Sequence, residues 1–250
     1  MNPNLPSLTV LGVKVAKLTR AEALAELLRL HDDREGPPAS VAFVNAHTLN
    51  LASRDEGFRA LLNRTRLILN DGAGLNLAAR LQGQRFPENL NGTDLTPRLL
   101  ERCAQRGLAV FFLGAKPGVA ALAAAKLTVK IPGLSVVGTQ DGYFAPEALP
   151  RVLESIASSG ASVLVVAMGN PLQERWLDEH LGASGCRLGV AVGAFFDFAA
   201  GQVERAPAWL QSAGLEWVYR LGREPGRMWR RYVLGNPAFV ARVVKERLGG

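Results

Sequence analysis

Short apolar runs rich in β-branched residues alternate along this chain with segments whose apolar positions recur at helical spacing. Six of these runs predict strands, at residues 41–44, 67–69, 109–113, 134–137, 162–167 and 188–192. Most of them are apolar on both faces, which is typical of parallel strands that helices cover on both sides. The alternation therefore predicts an α/β fold, a doubly wound, Rossmann-like and mostly parallel sheet.

Helical spacing between the strand runs predicts seven helices, at residues 20–32, 50–63, 73–82, 93–106, 117–130, 146–159 and 171–181. Several of these segments begin near a proline or end at a glycine, as helices commonly do. One further apolar run, at residues 8–15, predicts an early strand that pairs at the edge of the sheet.

The pattern changes near residue 200, because no strand signal follows and Pro207, Pro225 and Pro237 divide the remainder into short helical pieces. We therefore predict two domains. Residues 1–200 form an α/β core, and residues 201–250 form a C-terminal helical appendage.

The tail is strongly basic and rich in tryptophan. Residues 205–250 hold nine Arg or Lys and three Glu, a net charge of +6 out of +7 for the whole chain, and three of its four Trp. Clustered arginine beside indole suits a phosphate-bearing surface, either the headgroup layer of a bilayer or nucleic acid. The chain has no apolar run of the ~18–20 residues that a spanning helix needs, and its start lacks a signal-peptide layout. We therefore expect a cytoplasmic or peripheral protein.

Ligands of open α/β sheets bind beyond the carboxyl ends of the strands, where four loops of this chain are rich in glycine or polar residues. Asp71 lies beside glycines at one strand end, although the commoner use of such an Asp is as a helix N-cap. Lys116 lies in a second glycine loop, which could hold a phosphate or form a plain turn. Asp197, in an apolar stretch, must be paired or hydrogen-bonded, and could accept from a nucleobase or cap a turn.

Several classes of chemistry are disfavoured. The Gly72–x–Gly74 pattern lacks the third glycine of a dinucleotide fingerprint, since position 77 is Leu77, so an oxidoreductase is a weak alternative. No Asp-x-Asp occurs, which disfavours a nucleotide-sugar enzyme built on a carboxylate-bound divalent metal. If a diphosphate is the leaving group, arginines and amides must meet its charge instead. Cys103 and Cys186 lack a CxxC or His-rich neighbour, so we predict that they are buried reduced thiols. We expect no metal site and no cofactor.

Seven short motifs follow one another between about residues 41 and 232. They are Asn45, the segments 71–74, 91–95, 138–144, 169–174 and 192–197, and the beginning of the arginine-rich tail. Together they resemble the WecG/TagA/CpsF family of bacterial glycosyltransferases. Some members have Thr where this chain has Phe43, a difference that bears on the identity of the donor.

The resemblance implies an inverting, metal-independent transferase of cell-surface polysaccharide or teichoic-acid-type biosynthesis. It would move a sugar, N-acetylmannosamine in the best studied members, from a UDP-sugar to polyprenyl-diphosphate-linked N-acetylglucosamine. The partners it implies are this donor, this lipid-linked acceptor and the inner face of the cell membrane. Nucleic acid is not an expected partner, whereas a homo-oligomer is compatible with the sequence.

The resemblance also implies roles for single residues. Asp71 would be the general base on the acceptor hydroxyl, with Asn45 and Gln173 placing the sugars. Asp197 and Tyr143 would contact uridine. The arginines that would reach the diphosphate when the appendage closes over the pocket are Arg220, Arg227 and Arg230. The remaining predicted substrate-binding residues are Gly72, Gly74, Thr93, Asp94, Gly114 and Gly169.

Overall fold

The computed structural model describes residues 5–207, 209–210, 216–223 and 225–249, and of Arg220 and Arg227 it describes the backbone alone. Its strands are β1 (Ser7–Val10), β2 (Val13–Ala16), β3 (Ala39–Val44), β4 (Leu67–Asn70), β5 (Ala109–Gly114), β6 (Ser135–Gln140), β7 (Val163–Ala167) and β8 (Leu188–Ala191). Within these residues, six strands form one parallel sheet in the order β4-β3-β8-β7-β5-β6. The six predicted strands and the doubly wound α/β fold are confirmed.

Helices cover both faces of this sheet. The described helices are α1 (Arg20–Asp32), α2 (Ala46–Ala52), α3 (Glu56–Arg64), α4 (Ala73–Leu81), α5 (Gly92–Gln105), α6 (Val119–Lys130), α7 (Leu149–Ser158), α8 (Leu172–His180), α9 (Phe195–Ala199), α10 (Glu216–Arg223), α11 (Pro225–Trp229) and α12 (Gly235–Gly249). A π-helical turn, Arg230–Leu234, joins α11 to α12, and short 3-10 turns lie at Pro146–Ala148 and Gly182–Ser184. One apolar layer holds α1, α5, α6 and α9, and the other holds α2, α3, α4, α7, α8 and α12.

The predicted single edge strand at residues 8–15 is wrong. The segment folds back on itself as the antiparallel hairpin β1–β2, which makes a two-stranded sheet of its own. The reversal occurs at Leu11 and Gly12, whose φ angles of 50° and 74° lie in the left-handed region. Apolar residues recur with the same spacing in both strands of the hairpin, so the pattern gave no sign of the turn between them.

The predicted helix at residues 50–63 is also wrong, because two helices occupy this region. α2 ends at Ala52, and α3 begins after Asp55, whose carboxylate accepts a hydrogen bond from the Phe58 backbone N–H at 2.9 Å. This N-cap starts a new helix with its own axis. Both helices present apolar side chains to the same layer, which is why their periodicity looked continuous.

The last helix packs into the core. Phe239 and Val243 of α12 are 1% and 0% exposed and belong to the second apolar layer. The Asn50 side-chain amide donates to the Gly235 carbonyl at 2.7 Å, and the Leu11 N–H donates to Glu246 Oε2 at 3.0 Å. The helical character of the described part of the tail is confirmed, while a domain boundary at residue 201 stays a prediction.

Candidate active site

A cavity of about 1230 Å³ lies at the carboxyl edge of the sheet. Its lining comes from the loops after β3, β4, β5, β6, β7 and β8 on one side, and from the segment 228–235 of the tail on the other. This is the edge at which open α/β sheets bind their ligands. The tail therefore contributes directly to the wall of the candidate site.

Most of the predicted site residues come together in this cavity. Those in its lining are Asn45, Asp71, Thr93, Tyr143, Gly169, Gln173, Asp197 and Arg230. Outside the lining are Gly72, Gly74, Asp94 and Gly114. The side chains of Arg220 and Arg227 lie outside the described residues.

Asp71 and Asn45 meet where two neighbouring strands end. β3 and β4 pair in parallel with Val44 opposite Asn70, so the residues that follow are adjacent. Asn45 is the N-cap of α2, and its Oδ1 accepts from the backbone N–H groups of His47 and Thr48 at 3.1 and 3.2 Å. Its Nδ2 is therefore directed to Asp71 Oδ2, to which it donates at 3.2 Å.

Asp71 is not itself a helix cap, so that alternative reading is wrong. The N-cap of α4 is Gly72, whose φ of 87° lies in the left-handed region and which offers no side chain. The Asp71 backbone N–H donates to the Val44 carbonyl at 2.8 Å, which ties the loop to the end of β3. The carboxylate is thus held at the floor of the cavity rather than used to start the helix.

Gln173 ties two loops of the cavity together. Its side chain is only 2% exposed, and its Oε1 accepts from the N–H groups of Gly169 and Gly193 at 3.2 and 3.0 Å. Its Nε2 donates to Glu174 Oε1 at 2.8 Å. Both ends of the amide are therefore engaged within the protein, and a direct sugar contact stays a prediction.

Glu174 is a buried acid behind this amide. Burial raises its pKa to about 7, against the opposing effect of hydrogen bonds from Gln173 and Asn170. Asn170 Nδ2 donates to its Oε1 at 2.5 Å, while Oε2 is buried without a hydrogen-bond partner among the described residues. The N-cap of α8 is Pro171, the residue after Asn170.

The charged lining is predominantly cationic. Lys116, Arg54, Arg230 and Arg231 line the cavity together with the two acids Asp71 and Asp197. His47 lies in the same wall, and its pKa is lowered to about 4 by burial and by the charge of Arg231. Its imidazole is therefore neutral at pH 7. A cavity of this character suits an anionic ligand.

A family model described as the glycosyl transferase WecG/TagA/CpsF family matches residues 8–250. The chain belongs to this family. Its members are glycosyltransferases involved in cell-surface polysaccharide synthesis. The WecG/TagA/CpsF match extends through α12 to the last residue, so it includes both walls of the cavity.

Two of the predicted site residues outside the lining have evident structural uses. Gly114 has a φ of 128°, and a Cβ at this position would lie 2.4 Å from the Ala167 carbonyl oxygen, so only glycine lets β5 and β7 end so close together. Asp94 accepts from Arg205 Nη1 at 2.6 Å. Burial acts to raise the Asp94 pKa, but hydrogen bonds from Arg205 and Asn91 outweigh it, and the pKa is lowered.

Sequence reasoning missed Arg54 as a residue of the site. It lies in a segment predicted as uninterrupted helix and belongs to none of the seven motifs, so no local signal identified it. Its place in the lining follows from the packing of α12 against α2, a contact between segments about 190 residues apart. Phe43 also lines the cavity, where its ring fills the space beside Gly92.

No three His, Cys, Asp or Glu side chains come together as a metal-ligand group in the ranges that the structure describes. Cys103 and Cys186 are buried and free, as predicted. Of the helices in the described part of the chain, none is both long and apolar enough to cross a bilayer.

Proposed function

We propose that the chain is an inverting, metal-independent hexosyltransferase. It moves a sugar, N-acetylmannosamine or a related hexose derivative, from a UDP-sugar to polyprenyl-diphosphate-linked N-acetylglucosamine. The observation that carries the proposal is the Asp71 carboxylate, oriented by Asn45 at 3.2 Å on the floor of a large cavity with cationic walls. Family membership supports sugar transfer, and the resemblance of the motifs supports the donor and acceptor classes.

The proposed reaction is a single displacement. The acceptor hydroxyl oxygen attacks the anomeric carbon of the donor while the bond from that carbon to the diphosphate oxygen breaks. Asp71 accepts the hydroxyl proton, and UDP leaves with the bonding electron pair. One carboxylate suffices for this inverting route, because no covalent glycosyl intermediate forms.

The departing diphosphate gains negative charge, which the protein must stabilise. Arg230 lines the cavity and is the described arginine of the proposed trio, to which Arg220 and Arg227 also belong. Guanidinium groups suit this work because they bind phosphate oxygens in a bidentate fashion. The neutral His47 adds a hydrogen-bonding group without a further charge.

The order of the strands suggests how the donor lies. Lys116 and Tyr143 follow β5 and β6, while Asn45 and Asp71 follow β3 and β4. β7 and β8 separate β5 from β3, a distance of roughly 14 Å at the usual spacing of strands. We place uridine at the Tyr143 end, with Asp197 as its second contact, and the transferred sugar near Asp71.

The tail carries the proposed membrane contact. Trp209 and Trp229 are 67% and 54% exposed, which is unusual for indole and typical of side chains that enter the headgroup layer. The proposed location is therefore the cytoplasmic face of the cell membrane, where the lipid-linked acceptor resides. Residues 201–250 would act there as the unit that both binds lipid and completes the site.

The test is a transfer assay with a panel of UDP-sugars and a soluble lipid-diphosphate N-acetylglucosamine analogue. We expect one UDP-sugar to give UDP and a disaccharide product whose new linkage has the inverted anomeric configuration, with EDTA present throughout. Retention of configuration, or an activity lost in EDTA and restored by a divalent cation, would contradict the mechanism. Thermal stabilisation by NAD(P) and not by UDP would contradict the substrate class.

A further inference from the structure

Arg54 is a cation of the cavity to which no role has yet been assigned. It follows the C-terminal end of α2 and lines the cavity, as do Leu51, Leu234 and Gly235. Among the described residues no carboxylate forms a salt bridge with its guanidinium. The adjacent carboxylate, Asp55, is engaged elsewhere, because it pairs with Arg175 at 2.7 Å.

The backbone that presents Arg54 is firmly held. Asn50, one turn earlier, donates from Nδ2 to the Gly235 carbonyl at 2.7 Å and accepts a hydrogen bond from Arg242. The Arg54 N–H donates to the Leu51 carbonyl at 3.0 Å. The arginine therefore extends from a fixed point into a wall of the cavity, a favourable arrangement for binding an anion.

Its position relative to the reacting centre is defined by α2. Asn45 caps the N-terminal end of this helix beside Asp71, and Arg54 follows the other end, about 10 Å further along. Lys116, by contrast, follows β5, three strands away from β3 in the sheet. The cavity thus has cationic groups in two separate regions, and Asp71 lies next to the helix that leads to Arg54.

The proposed reaction brings two diphosphates into this cavity. One is the leaving group of the donor, and the other links the acceptor sugar to its lipid. We propose that Arg54 binds the diphosphate of the lipid-linked acceptor, an inference that rests on the proposed function. Leu234 lines the same cavity, is 59% exposed and offers apolar surface to the first units of the lipid. A guanidinium and an exposed leucine in one cavity match the chemistry of a lipid diphosphate.

Arg54→Gln removes the charge and keeps the length of the side chain, and Arg54→Lys restores the charge without the bidentate geometry. The matched control is Arg98→Gln, on α5, whose side chain pairs with Glu101 outside the cavity. We would measure KM for a soluble lipid-diphosphate N-acetylglucosamine analogue and for the UDP-sugar in each full-length variant. Direct binding of a fluorescent form of the analogue gives a readout that needs no turnover.

In Arg54→Gln we expect KM and Kd for the acceptor analogue to rise about 10- to 100-fold, the usual effect of losing a charged hydrogen bond. KM for the donor should change less than about twofold, Arg54→Lys should recover part of the loss, and Arg98→Gln should resemble the wild type.

An unchanged acceptor Kd, or equal rises in KM for donor and acceptor, would overturn the inference. So would a variant that binds the soluble analogue normally but no longer floats with anionic vesicles, because Arg54 would then contact bilayer phosphates. A wild type that binds the analogue through Arg54 but transfers no sugar would instead refute the proposed function.

Discussion

Asn45 Nδ2 donates a hydrogen bond to Asp71 Oδ2 at 3.2 Å, while Oδ1 of the same amide caps α2. The cap decides which way the amide faces, because exchanging its two ends would direct N–H donors at backbone N–H donors. A helix start and the orientation of the proposed base are therefore set by one side chain.

The first prediction concerns Asp71→Asn. The new amide oxygen can still accept from Asn45, so the fold and UDP binding should remain nearly unchanged, but the side chain can no longer take a proton. We expect turnover to fall by ~10²-fold or more, the usual scale for loss of a general base. Steady-state kinetics and UDP titration would measure the two effects. Asp178→Asn, on the surface, is the control, and equal turnover in Asp71→Asn would remove Asp71 from this role.

The second prediction concerns the pH dependence of stability. The Glu174 pKa is about 7 in the folded protein and near its ordinary value of 4.5 in the unfolded chain. The folded state therefore binds the proton more tightly, and this stabilisation is complete below about pH 4.5 and is lost as the pH rises through about 7. Glu174→Gln has no such loss, so its Tm relative to the wild type should increase between pH 5 and pH 8.5.

Between pH 5 and pH 8.5, the difference in the free energy of unfolding between Glu174→Gln and the wild type should change by on the order of 1–3 kcal/mol. Each kcal/mol corresponds to about 2–4 °C in Tm. Thermal unfolding at a series of pH values would measure it. Glu179→Gln, whose side chain is 61% exposed, is the control and should follow the wild type at every pH. A constant difference between Glu174→Gln and the wild type would show that Glu174 titrates normally.

The sequence predicted the parallel sheet well because buried parallel strands are short, apolar and separated by helices that carry their own end signals. It failed where two elements share one face, as at the β1–β2 hairpin and at the break between α2 and α3. It placed Asp71 at a strand end, and the family resemblance singled out Asn45 and Gln173, but neither could foresee that Gln173 donates to a buried Glu174. Arg54 could not be predicted as a residue of the site for another reason, because its place in the cavity depends on α12 packing against α2.

The third prediction concerns the attachment of α12. Phe239 is 1% exposed in the second apolar layer, so Phe239→Ala should lose its burial and leave a cavity. We expect about 3–5 kcal/mol of destabilisation, or roughly 6–20 °C in Tm. Val244→Ala, on the exposed face of the same helix, should change the free energy of unfolding by less than about 0.5 kcal/mol. An unaffected Tm in Phe239→Ala would mean that α12 is not part of the core in solution.

The fourth prediction concerns the proposed membrane contact. Deleting residues 201–250 is an unsuitable test of it, because α12 is part of the core. Such a deletion would remove Phe239 and Val243 from the core and confuse misfolding with loss of lipid binding. Trp217 is also unsuitable, because its ring packs against Tyr232 at 5.9 Å. The full-length double variant Trp209→Ser, Trp229→Ser changes only exposed indoles.

We expect this double variant to float with anionic liposomes at least about tenfold less efficiently than the wild type, since inserting each indole buries apolar surface in the headgroup layer. Its KM for the soluble acceptor analogue should stay within about twofold, because neither Trp lines the cavity. The control Leu122→Ser, Val129→Ser removes exposed apolar side chains from α6, on the core, and should float normally. Equal flotation of both double variants would place the membrane contact elsewhere, whereas a selective loss would tie lipid binding to the same tail that forms one wall of the cavity.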